Sequence, residues 1–408
     1  MQEQINQLGL ARQPIFDQHL NVVAYELLYQ SEKQEEVAKF LEGDQEACDV
    51  LINNFTSIYD SGAMKSLPAF LNVTENFIRT DSLPNLSRHN LVIDLKQQTE
   101  LSKDYINSLH KYVDAGYRLV LDDFTYDPIY DDLLRLAKIV RVDISDRSNE
   151  SIAEHMQKLN RFKVTVLAEN VNTYEEYERC QALGFKLFQG TFLSRPSLVE
   201  GKKLTSNQAI VIHLLAALQD QDVTPHTLAD ITSRDPQLTF KLLRIVNSAQ
   251  YNLPNKIESL TQAIVALGIN EIKKWATLLA LSSNDDKPSE LIRQILITAR
   301  MCEYVAHYTD EVDSELAFMT GVLSMLDALL EVDQPTLLDQ LSVSEEIVEA
   351  ITRYEGKSGK LLQAVNFYMI GQSAFRLPPE VQEVYAEAYY EGVRWSNENM
   401  QMMQGSHL

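Results

Sequence analysis

A series of residues able to hold a cation or move a proton recurs through the first half of this chain: Glu26, Asn72, Asp94, Asp122 with its neighbour Asp123, Asp143, Glu169 and Gln189. Each closes a short apolar run. Carboxylate and amide oxygens are hard ligands that suit magnesium or manganese. Brought to one mouth, they would form a two-metal site that activates water against a phosphodiester. A plainer reading stands beside this one, because an Asp or Glu ending a strand often caps the next helix or sits in solvent. Asp122 and Asp123 make the sharpest pair, since adjacent carboxylates repel unless a cation or hydrogen bonds compensate.

The runs that these residues close are Val22 to Ala24, Pro68 to Val73, Leu91 to Leu95, Arg118 to Leu121, Ile139 to Ile144, Val164 to Leu167 and Leu187 to Phe188. Helix-period segments such as Glu46 to Asp60, Lys103 to Ala115, Asp131 to Leu136 and Thr173 to Leu183 separate them. Strand followed by helix, repeated along about 190 residues, predicts a parallel sheet with crossovers, closed into a small (β/α) TIM-like barrel. No Gly-x-Gly-x-x-Gly turn follows the first run, which disfavours an open dinucleotide-binding sheet. In such a barrel the chemistry sits at the C-terminal strand ends, where the oxygen-bearing residues stand.

Beyond Leu204 the β-rich runs stop. Leu238, Leu242, Ile245 and Val246 form one helical stripe entered at Asp235 and Pro236. Leu260, Ile264, Val265 and Leu267 form a second that ends at Gly268, and Asn270 is positioned to cap a third helix carrying Ile272, Trp275 and Leu279. The chain therefore divides into a barrel over residues 1–200 and an all-α helical domain over 201–408, with the junction in Arg195 to Ser206.

Length and charge narrow the function. At 408 residues the chain holds two domains, and 45% apolar with 23% charged residues is a folding composition. A net charge of −22 repels phosphate backbones and anionic lipid, so neither nucleic acid nor membrane is the expected partner. The opening Met1 to Pro14 lacks the apolar run of a secretory signal, and no stretch approaches the roughly 18 apolar residues of a membrane span. A cytoplasmic protein is expected. Cys48, Cys180 and Cys302 have no C-x-x-C spacing and read as reduced thiols. Gln262 to Leu278 has the outline of a helix-turn-helix, but Glu271 beside Lys273 and Lys274 in an acidic chain favours bundle packing.

Several segments, in order, resemble the motifs of EAL-type cyclic-di-GMP phosphodiesterases: Tyr25-Glu26-Leu27-Leu28, Leu71-Asn72-Val73, Leu121-Asp122-Asp123-Phe124, Val142-Asp143, Ala168-Glu169-Asn170-Val171 and Gln189-Gly190-Thr191-Phe192. The resemblance spans residues 8–196. It implies Glu26, Asn72, Asp94, Asp122 and Asp123 as metal-site positions, Glu169 as a helper in water activation, and Gln189 as support from the last strand. Five departures accompany it. The family's phosphate-gripping arginine is Gln30, and a neutral amide supplies no charged clamp. The third-strand glutamate is Asp94, one methylene shorter. The glycine after the paired aspartates is Thr125, which alters the loop through which family barrels pair, so a monomer is expected. The lysine near the sixth strand is Arg141, which cannot share a proton with the attacking water. The second glutamate after Ala168-Glu169 is Asn172.

In the other half, Asp235-Pro236-Gln237-Leu238, Lys241 to Ala249, Ile257-Glu258-Ser259-Leu260 and Ala263 to Gly268 resemble the HDOD domain. The resemblance implies kinship with HD-type phosphohydrolases whose adjacent His-Asp pair corresponds here to Ser324 and Met325. A hydroxyl and a thioether are not hard-metal ligands. His213, His226, His307 and His407 show no ligand grouping.

The expectation is thus a cyclic-di-GMP-related signalling protein with a catalytically impaired barrel. Its remnant catalytic groups are Glu169, Arg141 and Gln189, and its remnant metal positions are Glu26, Asn72, Asp94, Asp122 and Asp123. It would need no cofactor, bind cyclic di-GMP weakly or not at all, and contact another signalling protein through the HDOD half. The alternative is an active phosphodiesterase that uses magnesium or manganese to form the linear dinucleotide.

Overall fold

A computed structural model describes residues 10–28, 45–60, 62–79, 87–96, 101–194, 224, 236–247, 251, 253, 256–282, 287–341, 343–371 and 379–404. Ten strands are described: β1 (Ala11–Phe16), β2 (Val22–Leu28), β3 (Ser57–Asp60), β4 (Ala63–Ser66), β5 (Ala69–Asn72), β6 (Leu91–Lys96), β7 (Arg118–Asp122), β8 (Ile139–Asp143), β9 (Thr165–Glu169) and β10 (Leu187–Phe188). Eight of them close a barrel in the order β1-β10-β9-β8-β7-β6-β5-β2. The barrel helices described are α1 (Gln45–Thr56), α2 (Glu75–Arg79), α3 (Lys103–Asp114), α4 (Asp131–Leu136), α5 (Asn149–Leu159) and α6 (Tyr174–Ala182).

Seven barrel strands are those expected from the apolar runs. The eighth, β1, was not foreseen: it carries Arg12 and Pro14, and it runs antiparallel to both neighbours, β2 and β10, so no helical crossover announces it. Pro14 is tolerated in a strand only where the missing N–H is not needed by the ladder. The β3-β4 hairpin is a second addition, outside the barrel.

Side chains alternate across each strand, and this sorts the barrel interior into two layers. Ile15, Ala24, Phe70, Val92, Val120 and Leu167 pack as an apolar plug, with Ile139 and Leu187 partly buried against it. Two residues along from each of these, toward the mouth, come Gln13, Glu26, Asn72, Asp94, Asp122, Glu169, Arg141 and Gln189 respectively. The apolar plug excludes water below, and the polar layer inherits a floor of low polarizability.

The second half is helical throughout its described residues: α7 (Pro236–Val246), α8 (Leu260–Leu267), α9 (Ile269–Ser282), α10 (Ser289–Thr309), α11 (Ser314–Leu323), α12 (Leu326–Leu330), α13 (Gln334–Leu341), α14 (Glu345–Arg353), α15 (Gly356–Met369) and α16 (Pro379–Gln404). Leu242, Ile245, Val246, Ile264, Ile272, Trp275 and Leu279 are buried as their spacing predicts. Two details differ. Val265 is 82% exposed, off the stripe assigned to it. Asn270 lies inside α9 and hydrogen-bonds Glu315, so it does not cap the helix. The expected junction, Arg195 to Ser206, the side chain of Leu238, and His213, His226 and His407 lie outside the described residues. Gly321 lets α11 cross α10 closely, since a Cβ there would fall 2.7 Å from the Ala299 Cα.

The two halves share a buried polar seam. Tyr25, on the outer face of β2, donates to Glu290 Oε2 of α10 at 2.8 Å. Glu290 pairs with Arg293, which also donates to the Tyr59 carbonyl at 2.7 Å. The Arg12 guanidinium lies 4.1 Å from the Tyr25 ring centroid, and its backbone N–H donates to the Tyr389 hydroxyl of α16. Glu290 and Arg293 are only 2% and 0% exposed, so each charge depends on the other. Among the described residues, no helix is long and apolar enough to cross a membrane.

Candidate functional site at the barrel mouth

The polar layer converges on Arg141. Its Nη1 lies 3.0 Å from Glu26 Oε1, 3.4 Å from Asp122 Oδ1 and 3.5 Å from Glu169 Oε1, while Nη2 lies 2.8 Å from Asp94 Oδ2. One guanidinium thus touches carboxylates from β2, β6, β7 and β9. Only the Glu26 contact is aligned as a hydrogen bond. Both Asp94 oxygens, Asp122 Oδ1, and Nε and Nη2 of Arg141 are buried without hydrogen-bond partners, so the Asp94 contact is a close ion pair with its N–H directed elsewhere. Gln189 closes the ring from β10, its amide nitrogen shared between Glu26 Oε2 at 2.6 Å and Gln13 Oε1 at 3.0 Å. Both oxygens of Glu26 are therefore taken by donors from the chain itself.

Sequence reasoning missed Gln13. It faces Glu26 across the β1-β2 ladder, and because β1 was not read as a strand, no signal assigned this amide to the mouth.

The local backbone explains the placement. Asp94 sits beside Asn72 in the β5-β6 register, which puts the Asn72 amide in the same layer. Gly190 has φ of +152°, and a Cβ there would fall 2.0 Å from the Val171 carbonyl oxygen. Only glycine permits the approach that seats Gln189 and the chain after β9 together. Asp123 adopts φ of +47° and is exposed. The expected pair is split: Asp122 enters the ring and Asp123 faces solvent. Asp143 behaves as the plainer reading allows, accepting from the Ser145 N–H and hydroxyl in the turn after β8.

Four carboxylates around one cation leave an excess of negative charge in a nearly dry pocket. Burial, reinforced by Asp122, Glu26 and Glu169, pushes the Asp94 carboxyl well above the usual range, and Arg141 only partly offsets it. Burial raises Asp122 as well. Glu169 is pushed up to about 7, first by burial and then by Asp122 and Glu26 against the pull of Arg141. Burial works against the Arg141 charge, but Asp94, Glu26, Asp122 and Glu169 more than compensate, and the guanidinium stays protonated.

The donor set as arranged does not fit magnesium or manganese. Magnesium demands oxygens at about 2.0–2.1 Å in near-octahedral order. The guanidinium lies among the oxygens that would supply them. At about 3 Å, a divalent ion and a guanidinium repel by on the order of 10 kcal/mol at an effective dielectric of about 20. Among the described residues, no three His, Cys, Asp or Glu groups converge to hold a metal ion.

The other expected departures have structural readings. Thr125 accepts a hydrogen bond from Arg147 at 3.4 Å, and Asn172 accepts from Thr191 at 2.9 Å. Gln30 lies outside the described residues. In the helical half, Ser324 donates to the Gly321 carbonyl, and the Met325 sulfur accepts from Thr298. Both serve helix packing.

The HDOD domain model matches residues 204–366. Across the whole chain, the uncharacterized protein YuxH of Bacillus subtilis is 30% identical over 406 residues, covering 96% of this chain and 98% of that one. A Vibrio cholerae protein named cyclic di-GMP phosphodiesterase CdgJ is 26% identical over 401 residues, 95% of this chain and 92% of its own length. Among solved structures, an EAL domain protein from Listeria monocytogenes is 19% identical and covers 48% of this chain and 91% of that one, with a TM-score of 0.35. The Bacillus subtilis YkuI protein, with an EAL domain and in complex with c-di-GMP and calcium, is 15% identical and covers 64% of this chain and 74% of its own, with a TM-score of 0.37. With a closed barrel before a helical HDOD half, and full-length similarity to YuxH, the chain belongs to the family of two-domain proteins that join an EAL-type barrel to an HDOD domain.

Proposed function

We propose that this protein is a cyclic-di-GMP-linked signalling adaptor whose barrel, residues 1–200, is catalytically impaired and whose HDOD half, residues 201–408, contacts another signalling protein. The observation that carries this reading is Arg141 within contact distance of four carboxylates. Metal-assisted hydrolysis needs an ion that polarises the phosphate and lowers the pKa of a bound water. A guanidinium offsets part of the ring's negative charge, but it has no open coordination position and releases no proton at neutral pH. The barrel in this reading needs no cofactor and binds cyclic di-GMP weakly or not at all, in line with a neutral amide at Gln30.

The seam between the halves supports an adaptor role. Tyr25, which bonds Glu290 of the HDOD half, adjoins Glu26 of the ring on β2. A partner that shifts α10 would act on the strand that carries both residues. A motility or biofilm output rests on the family resemblance.

A second reading, an active phosphodiesterase forming the linear dinucleotide with magnesium or manganese, draws on the full-length relative named as such an enzyme. The two readings separate in one assay. Purified full-length protein is incubated with cyclic di-GMP and manganese, and the products are resolved by chromatography. No linear dinucleotide is expected. Turnover that vanishes in Glu26→Ala would overturn the adaptor reading.

A further inference from the structure

Opposite the mouth, at the N-terminal ends of the parallel strands, the barrel gathers positive charge. Arg88 stands just before β6, Arg118 opens β7, Lys138 precedes β8, Arg161 and Lys163 precede β9, and Lys186 precedes β10. These strands are consecutive neighbours in the barrel, so the cations share one arc of its rim. Arg118 is half-buried and the others are exposed. Among the described residues, none of them is paired with a carboxylate. Asp17, Asp49 and Asp114 stand at the same end, and Asp60 is balanced by Lys65 at 2.9 Å, so positive charge is in excess.

Part of the arc is fixed in place. Arg88 Nη1 donates to the Ala115 carbonyl at 3.4 Å, Arg118 Nη2 to the His89 carbonyl at 3.3 Å and Lys186 Nζ to Gln18 Oε1 at 3.2 Å. Lys138, Arg161 and Lys163 make no side-chain hydrogen bond among the described residues. A plainer reading is that cations here serve the C-terminal ends of α3 to α6, which reach the same end of the barrel. Such an end carries only about half a charge, and of the six cations Arg88 alone donates to the cap of one, so the excess remains.

We infer that this arc is a docking surface for a short segment of a partner protein rich in Asp and Glu. Neighbouring strands lie about 4.8 Å apart, so five strand starts span about 20 Å. An extended chain covers about 3.3 Å per residue, so about six residues match the arc. The chain's net charge of −22 works against a longer polyanion, whose charges run on past the arc. Among the described residues, no exposed large apolar side chain stands in these loops, which leaves neither an aromatic platform for bases nor an apolar wedge for a bilayer. The surface lies on the barrel half, apart from the HDOD contact of the adaptor reading. It holds whether or not the barrel hydrolyses cyclic di-GMP.

The probe is a fluorescein-labelled hexaglutamate peptide, titrated with full-length protein and followed by anisotropy at 50 and 300 mM sodium chloride. Two triple variants are compared: Lys138→Glu, Lys163→Glu and Lys186→Glu on the arc, and Lys256→Glu, Lys357→Glu and Lys360→Glu on exposed positions of the helical half. Each triple lowers the net charge equally, so the second controls for the field of the whole chain. Wild type is expected to bind the peptide, more weakly in 300 mM salt. The arc triple should lose at least about tenfold in affinity, and the control triple less than about threefold. Circular dichroism melting checks that both triples stay folded, and glutamine in place of glutamate on the arc should still lower affinity by at least about threefold if the reversal disturbs the fold. No binding by wild type in 50 mM salt, or equal losses in the two triples, would overturn the inference. A DNA duplex or phosphatidylglycerol vesicles binding more tightly than the peptide through the same lysines would also overturn it, by assigning the arc to a polyanion.

Discussion

Replacing Glu290 by alanine should uncouple the two halves. The substitution leaves the Arg293 guanidinium, 0% exposed, without its counter-ion and the Tyr25 hydroxyl without its acceptor. Breaking a buried ion pair from one side costs about 3 to 5 kcal/mol. A buried hydroxyl left unpaired costs about 1 to 3 kcal/mol, part of which is the same desolvation. A total near 5 kcal/mol is expected, by the logic of those two ranges. Replacing both partners with apolar residues, Glu290→Leu with Arg293→Met, removes both charges together and should restore at least about 3 kcal/mol of that loss. The chain's two tryptophans, Trp275 and Trp395, both lie in the helical half, so their fluorescence follows that half alone. Far-ultraviolet circular dichroism follows both halves. In urea, the wild type should give coincident midpoints by the two signals, and Glu290→Ala should lower and separate them. A loss below about 1 kcal/mol, or a double variant no more stable than Glu290→Ala, would refute the claim that this pair depends on mutual compensation.

Further outcomes follow from single residues. Gly190→Ala puts a Cβ against the Val171 carbonyl and should cost more than about 3 kcal/mol, read as a fall in the urea midpoint; an unchanged midpoint would mean the turn can relax. His155 is held down to about 4 by burial and by Arg147 and Lys158, so the native state stays neutral while the unfolded chain takes up a proton below pH 6.5. Its contribution is full above pH 6.5 and should fall by about 2 kcal/mol as the pH drops toward 4, a slope that His155→Leu removes. Asp327 has the opposite sign: burial pushes it up to about 6, so stability present near pH 4 is lost as the pH rises through 6. Asp327→Asn should therefore be the more stable protein at pH 7.5 by about 2 kcal/mol in the same urea titrations, and equal stability there would remove burial as the cause.

Much of the barrel was legible because period-2 and helical segments alternate visibly, and because strand-end position selects the residues that reach the mouth. Glu26, Asp94, Asp122, Glu169 and Gln189 meet for that reason. What spacing alone does not carry is register. Asp122 and Asp123 read as one pair, yet successive residues at a strand end face opposite ways, and only Asp122 enters the ring. Gln13 was hidden because β1 closes the barrel antiparallel and lacks a crossover helix. Arg141 read as an exchange of one cation for another. Its position among four carboxylates depends on β8 facing β2 across the barrel, a relation between residues more than a hundred apart. The seam was equally silent, since Glu290 and Arg293 look like an exposed i,i+3 pair on a polar helix face until β2 is packed over them.

The central claim is that a guanidinium, and not a divalent ion, is the cation among the four carboxylates at the barrel mouth. The most direct measurement is a crystal structure of the wild-type protein grown in manganese chloride, with anomalous scattering collected above and below the manganese edge. The account predicts Arg141 density among Glu26, Asp94, Asp122 and Glu169, and no manganese peak within bonding distance of those carboxylates. A manganese peak ligated by them, with Arg141 swung out of the ring, would contradict it.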